Sequence, residues 1–295
     1  MRPIVSIVAG ILTVSLLAST AAFAGSAGSP DLPGAYFEPT GTFFLRNTLD
    51  TGTIDRTAFI VTTAGWIPVK GDWDGDGTDG IGVFSTTTGT WYLVDSAPNS
   101  PAAPLPADYV AFITTTGANW LPITGDWDGD GADGIGIYNT VTGTMFLVDD
   151  ATQGAAAASP ADYTVFMSTD GASYLPITGD WDGNGSDGVG IYNTTSGTMF
   201  LADDATAGGV APANYAIFMS PAGASFLPVA GSWEGLTEDG VGIWQISSGT
   251  FFLANDATQG AAAAAPADAS LFLLGSLTPL SGTDYTPIVG DWDGL

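Results

Sequence analysis

Gly71-Asp72-Trp73-Asp74-Gly75-Asp76-Gly77-Thr78-Asp79-Gly80 is the stretch that decides how this chain folds. It returns as GDWDGDGADG at 125–134 and as GDWDGNGSDG at 179–188. It decays to GSWEGLTEDG at 231–240 and leaves a fragment, GDWDGL, from Gly290. The starts are 54, 54, 52 and 59 residues apart. Such a period means one supersecondary unit used several times.

Between the acidic stretches the chain follows one grammar five times. A short apolar strand opens each unit: Ala35–Phe37, Ile81–Phe84, Ile135–Tyr138, Val189–Tyr192 or Val241–Trp244. A tight turn with glycine at 41, 89, 143, 197 or 249 follows, flanked by Thr and Ser, as suits a hairpin position of positive φ. The second strand is aromatic and branched, for example Trp91–Val94 and Met145–Val148. Ala- and Pro-rich segments of variable length, read as surface loops, lead to a third strand such as Tyr109–Ile113. The fourth strand carries a proline each time, at 68, 122, 176, 228 and 287, which suits a sheet edge because proline cannot donate to a ladder.

Four short strands per roughly 50 residues predict an all-β fold, a β-propeller with five four-stranded blades. The alternative is an open curved array of antiparallel sheets. Closure is expected by direct packing of blade five against blade one, since no strand is visibly left over. The expected domain spans 34–295, in units of about 34–75, 76–129, 130–183, 184–235 and 236–295. Residues 25–33 read as a flexible lead-in.

Residues 1–24 read as a signal peptide, with Arg2, an apolar run over Ile4–Leu17, and Ala22-Phe23-Ala24 as the cleavage signal. The expected location is therefore outside the cytoplasm: secreted, cell-surface or periplasmic. Without the leader, 31 acidic residues face three basic ones, Arg46, Arg56 and Lys70, a formal charge of -28. No basic footprint exists for nucleic acid, and no mature segment reads as membrane-inserting. Cysteine and histidine are both absent. That excludes disulfides, Ser-His-Asp and Cys-His catalysis, and His-ligated zinc.

In the first loop Asp72, Asp74 and Asp76 fall at positions 1, 3 and 5, with the Thr78 carbonyl at 7. Asp126, Asp128, Asp130 and Ala132 repeat the pattern, as do Asp180, Asp182, Asn184 and Ser186. Alternate carboxylates converge when the backbone curls, and hard oxygen ligands suit Ca²⁺. The competing reading is that Asp and Gly simply make tight turns. The unit resembles the FG-GAP/VCBS-type repeats of secreted bacterial proteins and the integrin alpha-subunit propeller repeats, which read D-x-D-x-D-G-x-x-D. That resemblance implies calcium loops on a propeller. The family's ninth-position Asp falls here on glycines 80, 134 and 188, with a carboxylate one place earlier at Asp79, Asp133 and Asp187. Those three are counted as candidate ligands, direct or through water. The fourth copy, with Ser232, Glu234 and Leu236, is expected to hold no ion, and Asp291 with Asp293 lacks further ligands unless closure supplies them.

Trp73, Trp127, Trp181, Trp233 and Trp292 persist where the acids decay, which predicts packing between blades; exposed aromatics for carbohydrate are the minority reading. Uniform repeats with no unique polar cluster favour a non-enzymatic, calcium-braced module with a binding, adhesive or structural role and a protein or glycan partner. The alternative is a secreted hydrolase acting on carbohydrate. It draws on acids outside the loops, among them Glu38, Asp95, Asp149-Asp150 and Asp203-Asp204, with Arg46 also standing out.

Overall fold

The computed structural model describes residues 29–113, 119–152, 161–168, 173–206, 208–220, 223–258, 267–275 and 278–292. The expected signal peptide lies outside them. Five sheets, each built on four antiparallel strands, form a five-bladed β-propeller. Among the described residues no helix is long and apolar enough to cross a membrane.

Blade II shows the pattern. Its strands run Trp66–Gly71, Gly80–Ser85, Thr90–Val94 and Tyr109–Phe112, from the axis outward. Blade III repeats it with Trp120–Gly125, Gly134–Asn139, Thr144–Val148 and Tyr163–Phe166. Blade IV uses Tyr174–Gly179, Gly188–Asn193, Thr198–Ala202 and Tyr215–Phe218. Blade V uses Phe226–Gly231, Gly240–Gln245, Thr250–Ala254 and Ala269–Gly275.

The proline strand is thus the innermost one, and its free edge faces the axis, where a missing N–H breaks no ladder. Pro68, Pro122, Pro176, Pro228 and Pro287 line an axial cavity of about 180 Å³ together with the branched residues that follow them. The hairpin glycines do adopt positive φ, 71° at Gly89 and at Gly143.

Closure differs from the expectation of direct packing between blades. Blade I consists of Leu32–Phe37, Thr42–Leu45 and Arg56–Phe59, and its inner strand is the C-terminal Tyr285–Gly290. Six residue pairs join Leu32–Phe37 to that strand, from Leu32–Gly290 to Phe37–Tyr285. The physical reason is the acidic loop, which is a hairpin. It pairs each proline strand with the strand after it, so each sheet begins at the proline strand and the sequence units straddle two sheets. The first sheet therefore lacks an inner strand until the last proline strand supplies it. Leu32 and Pro33, expected in the lead-in, belong to this pairing.

The five tryptophans are 1–2 % exposed, and each fills a seam between blades. Trp73 packs with Ile135 and Ile137 of blade III, Trp181 with Val241 and Ile243 of blade V, and Trp292 with Ile81 and Val83 of blade II. The interblade reading holds, and these rings are not available to carbohydrate.

The variable loops do more than cover the surface. Ser100 and Leu105 donate backbone N–H groups to Thr57 and Phe59 carbonyls of blade I, both at 2.8 Å. Gly209–Val210 pairs with Val165–Phe166 of blade III, and Gly52–Thr53 with Leu273–Leu274 of blade V. Each such loop closes the outer edge of the preceding blade, an edge that would otherwise template aggregation. Arg46, 7 % exposed, holds the 46–55 loop in place through Asp50, Asp55, Thr48 and the Thr53 carbonyl.

Candidate metal centres and the axial carboxylate ring

The acidic loops all lie at one end of the propeller, between inner and second strands. In the first, Asp72 accepts the N–H groups of Asp76 (3.1 Å) and Gly77 (2.7 Å), Asp74 that of Asp76, and Asp76 that of Thr78. The second and third loops reproduce this scheme around Asp126 and Asp180, including Asn184 accepting from Ser186 at 2.8 Å. Backbone donors thereby aim the carboxylates inward. One oxygen from each of Asp72, Asp74 and Asp76 lies within 4.8 Å of the others, and the same holds for Asp126, Asp128 and Asp130. These two groups could hold a metal ion. Burial raises the Asp72, Asp126 and Asp180 carboxyls above the ordinary range, against the pull of those N–H donors.

Asp79, Asp133 and Asp187 are not brought to these groups. Asp133 Oδ2 accepts the N–H of Asp72 in the neighbouring blade (3.0 Å), while its own N–H donates to the Asp72 carbonyl (2.6 Å). Asp187 makes the same pair of hydrogen bonds with Asp126, Asp239 with Asp180, and Asp79 with Asp291. Asp31, which no repeat pattern had singled out, completes the circle on Ser232. Five aspartates thus clamp five blades, each across one seam. A spacing was available in the sequence: Asp31-Leu32-Pro33-Gly34 matches Asp79-Gly80-Ile81-Gly82.

The clamp explains the leading glycine of GDWD. A Cβ at Gly125 would stand 2.5 Å from Asp187 Oδ2 and 2.8 Å from the Trp127 ring. Gly125→Ala is expected to lower stability by roughly 1–3 kcal/mol as an overpacking change. A fall in the urea midpoint at unchanged slope measures it, and an unchanged midpoint means the clamp yields freely.

Among the described residues Lys70 is the one cation inside this circle. Its Nζ lies 3.4 Å from Asp79 Oδ2, and its charge also acts on Asp31, Asp133, Asp187 and Asp239. The equivalent positions are Thr124, Thr178, Ala230 and Val289. Asp31, Asp133, Asp187 and Asp239, buried or half-buried around one ammonium, cannot all ionise easily. Burial first, and the neighbouring carboxylates after it, push Asp187 and Asp239 up to about 8 and Asp31 up to about 6. Asp133 is raised well above the carboxylate range for the same causes.

A further set of acids lies beside the metal loops. Asp95, Asp149 and Asp203 follow the third strands and accept hydrogen bonds from Tyr109, Tyr163 and Tyr215, and each keeps a buried Oδ1 without a hydrogen-bond partner, as Asn255 does in blade V. Burial, then Asp108 and Asp74, raise Asp95 to about 6. Asp149 is raised by burial with Asp128 nearby, and Asp203 by burial with Asp182. Their sequence neighbours Asp150 and Asp204 instead cap turns at Thr152 and Thr206. In blade V the residue in the Asp95 place is Asn255, and its amide donates to Glu234 at 2.8 Å. Ser232 closes the fourth loop by donating to the Leu236 carbonyl. Of the acidic pairs 149-150 and 203-204, one member of each therefore caps a turn and the other lies beside a metal loop. Glu38 accepts from Gly65 at the opposite end of the propeller and is not brought to Arg46.

No protein-family model matches the sequence, and no curated protein matches it. Among solved structures, the chain is similar to an Agrocybe aegerita lectin whose structure concerns recognition of non-reducing terminal N-acetylglucosamine. Identity is 13%, over 80% of this chain and 76% of that one, with a TM-score of 0.39. It is also similar to BBS1N in its complex with ARL6DN, at 8% identity over 78% of this chain and 80% of that one, with a TM-score of 0.37.

Proposed function

We propose that this is a secreted or surface module without enzymatic activity, which presents a binding surface on a propeller braced by calcium at its first three acidic loops. The observation that carries the calcium reading is a substitution pattern inside the chain itself. Where a loop has the D-x-D-x-D/N pattern, the facing residue is a carboxylate, Asp95, Asp149 or Asp203, raised by burial with the loop acids beside it. Where the pattern has decayed, the facing residue is Asn255, a neutral donor that satisfies Glu234 directly. Opposed carboxylates repel and need a cation between or beside them; an amide facing a carboxylate does not. All-oxygen ligands with a flexible loop favour Ca²⁺ over Mg²⁺, and extracellular millimolar calcium fills even weak sites.

The test is thermal unfolding of Gly25–Leu295 after chelation, with Ca²⁺ or Mg²⁺ then titrated at constant ionic strength. Each site at a hundredfold excess over its Kd adds about 2.7 kcal/mol, so a calcium-selective rise of several degrees is expected. It disappears when Asp72, Asp126 and Asp180 are replaced by Ala. Asp95→Asn should raise the melting temperature of the metal-free protein and shrink its calcium response. No selective shift means the acids are turn formers, and calcium leaves the account.

A further inference from the structure

The two ends of the propeller differ sharply in charge. Among the described residues only Glu38 and Asp284 are acidic at the end opposite the metal loops, and neither Lys nor Arg stands there. Arg46, Arg56, Lys70 and the other described acids belong to the loop end. The uncharged end is nonetheless well furnished. The last residues in register across blade II are Trp66 with Ser85 and Thr90 with Phe112. Blade III ends on Trp120 with Asn139 and Thr144 with Phe166, and blade IV on Tyr174 with Asn193 and Thr198 with Phe218. Blade V ends on Phe226, Gln245, Thr250 and Phe272, and blade I on Tyr285, Phe37, Thr42 and Phe59.

Residues in register project from the same side of a sheet. Each blade therefore sets an inner aromatic ring at this rim, then in blades II–V a hydroxyl or amide, a threonine and an outer phenyl. Trp66, Trp120, Tyr174 and Tyr285 are half-buried, each packed on one side against an interblade cluster. Trp66 is backed by Tyr92 at 5.4 Å between centroids and Trp120 by Phe146 at 5.9 Å, so these half-buried rings stand on firm packing. The hairpins beside them add hydroxyl pairs: Thr88 with Thr90, Thr142 with Thr144, Ser196 with Thr198 and Ser248 with Thr250, at 2.8–3.0 Å.

We propose that this uncharged end binds a neutral saccharide, with Trp66 and Trp120 as the principal stacking platforms. The inference rests on the binding role proposed above and gives it a surface and a ligand class. An aromatic face is electron-rich and accepts the C–H side of a sugar ring. Hydroxyl and amide groups around an apolar floor suit sugar hydroxyls and fix orientation. The partner is uncharged because this end offers almost no charge to pair, while a cationic partner would be drawn to the loop end. Five similar rows around one rim also suit a polymer, since several weak contacts on one chain multiply by effective concentration.

The experiment uses the full mature chain with insoluble cellulose, chitin and starch as probes, and soluble alginate and poly-L-lysine as charged controls. Retention on at least one neutral polysaccharide is expected, unchanged between low and high salt. The double variant Trp66→Leu/Trp120→Leu should lower the melting temperature, since both rings are packed, yet remain folded at the assay temperature by circular dichroism and lose retention at least tenfold. Asp150→Asn/Asp204→Asn, at the acidic end, should bind as the parent does. No retention on any of the three, retention that falls with salt, or full binding by the folded leucine variant overturns the proposal. A calcium-selective melting shift in the same preparation then shows whether the calcium-braced module still stands without this ligand.

Discussion

A chain that stops at Asp284 is expected to show no cooperative unfolding transition near that of the full protein. The deletion removes the inner strand of blade I and with it all six pairings to Leu32–Phe37. It also removes Trp292, 1 % exposed in the seam between blades I and II, and the Asp291 partner of the Asp79 clamp. Arg56 loses the Trp292 carbonyl, which it reaches at 2.6 Å while also holding Ala97. What is left is a three-stranded blade with an open hydrophobic edge, which tends to pair with other chains. Heat capacity, near-ultraviolet circular dichroism and elution volume should report a partly ordered, self-associating species. A milder variant separates the strand from the seam: Trp292→Ala should cost roughly 3–5 kcal/mol. Trp181→Ala, in the seam between blades IV and V that does not involve chain closure, should cost about as much. If the truncated chain still melts cooperatively within a few degrees of the parent, the clamps and latching loops alone hold the propeller shut.

Why the closure was not legible follows from the same strand. Period, proline position and the persistent tryptophans all report local requirements: a hairpin, a free edge, a seam-filling ring. These read correctly from the sequence because each constraint recurs at the same place in every unit. Which strand starts a sheet depends on whether an acidic loop is a hairpin or a crossover, and both are compatible with GDWDGDG. The roles of Asp79, Asp133 and Asp187 were hidden for a related reason. Asp133 sits beside a calcium-like motif in sequence, but its partner Asp72 lies 61 residues away in the next blade. The same distance separates Asp187 from Asp126. Asp95, Asp149 and Asp203 approach their loops from another strand of the sheet, so only pairing registers place them there. The neutral rows at the other end became visible once Trp66, Ser85, Thr90 and Phe112 were aligned across four strands.

The carboxylate circle should make stability fall as pH rises, the reverse of ordinary acid denaturation. Asp187 and Asp239, held near 8, and Asp31, near 6, bind protons in the folded protein that the unfolded chain has already released above about pH 4. Between those values the native state carries more protons, so the unfolding free energy declines with pH. The metal-free protein should therefore melt higher at pH 4.5 than at pH 8. Lys70 has the opposite sign. Its carboxylate neighbours, set against the cost of burial, hold its pKa well above the usual lysine value, so its stabilising charge is present throughout this window. Lys70→Met should be tolerated better at pH 4.5, where Asp31, Asp133, Asp187 and Asp239 are largely protonated, and should be strongly destabilising at pH 8.

Two substitutions at one position isolate the clamp from the charge. Asp187→Asn keeps an oxygen for the Asp126 N–H, now bonded at 3.0 Å, and removes the ionisation. It should raise the melting temperature at pH 8, leave it nearly unchanged at pH 4.5, and preserve the calcium response. Asp187→Ala leaves that N–H without its acceptor and should cost roughly 1–3 kcal/mol at both pH values, a shift of several degrees in a chain of this size. An Asn variant that loses its calcium response would return Asp187 to the metal loops. An Asn variant as damaged as Ala at pH 8 would mean that the ring is stabilised by its charges and not despite them.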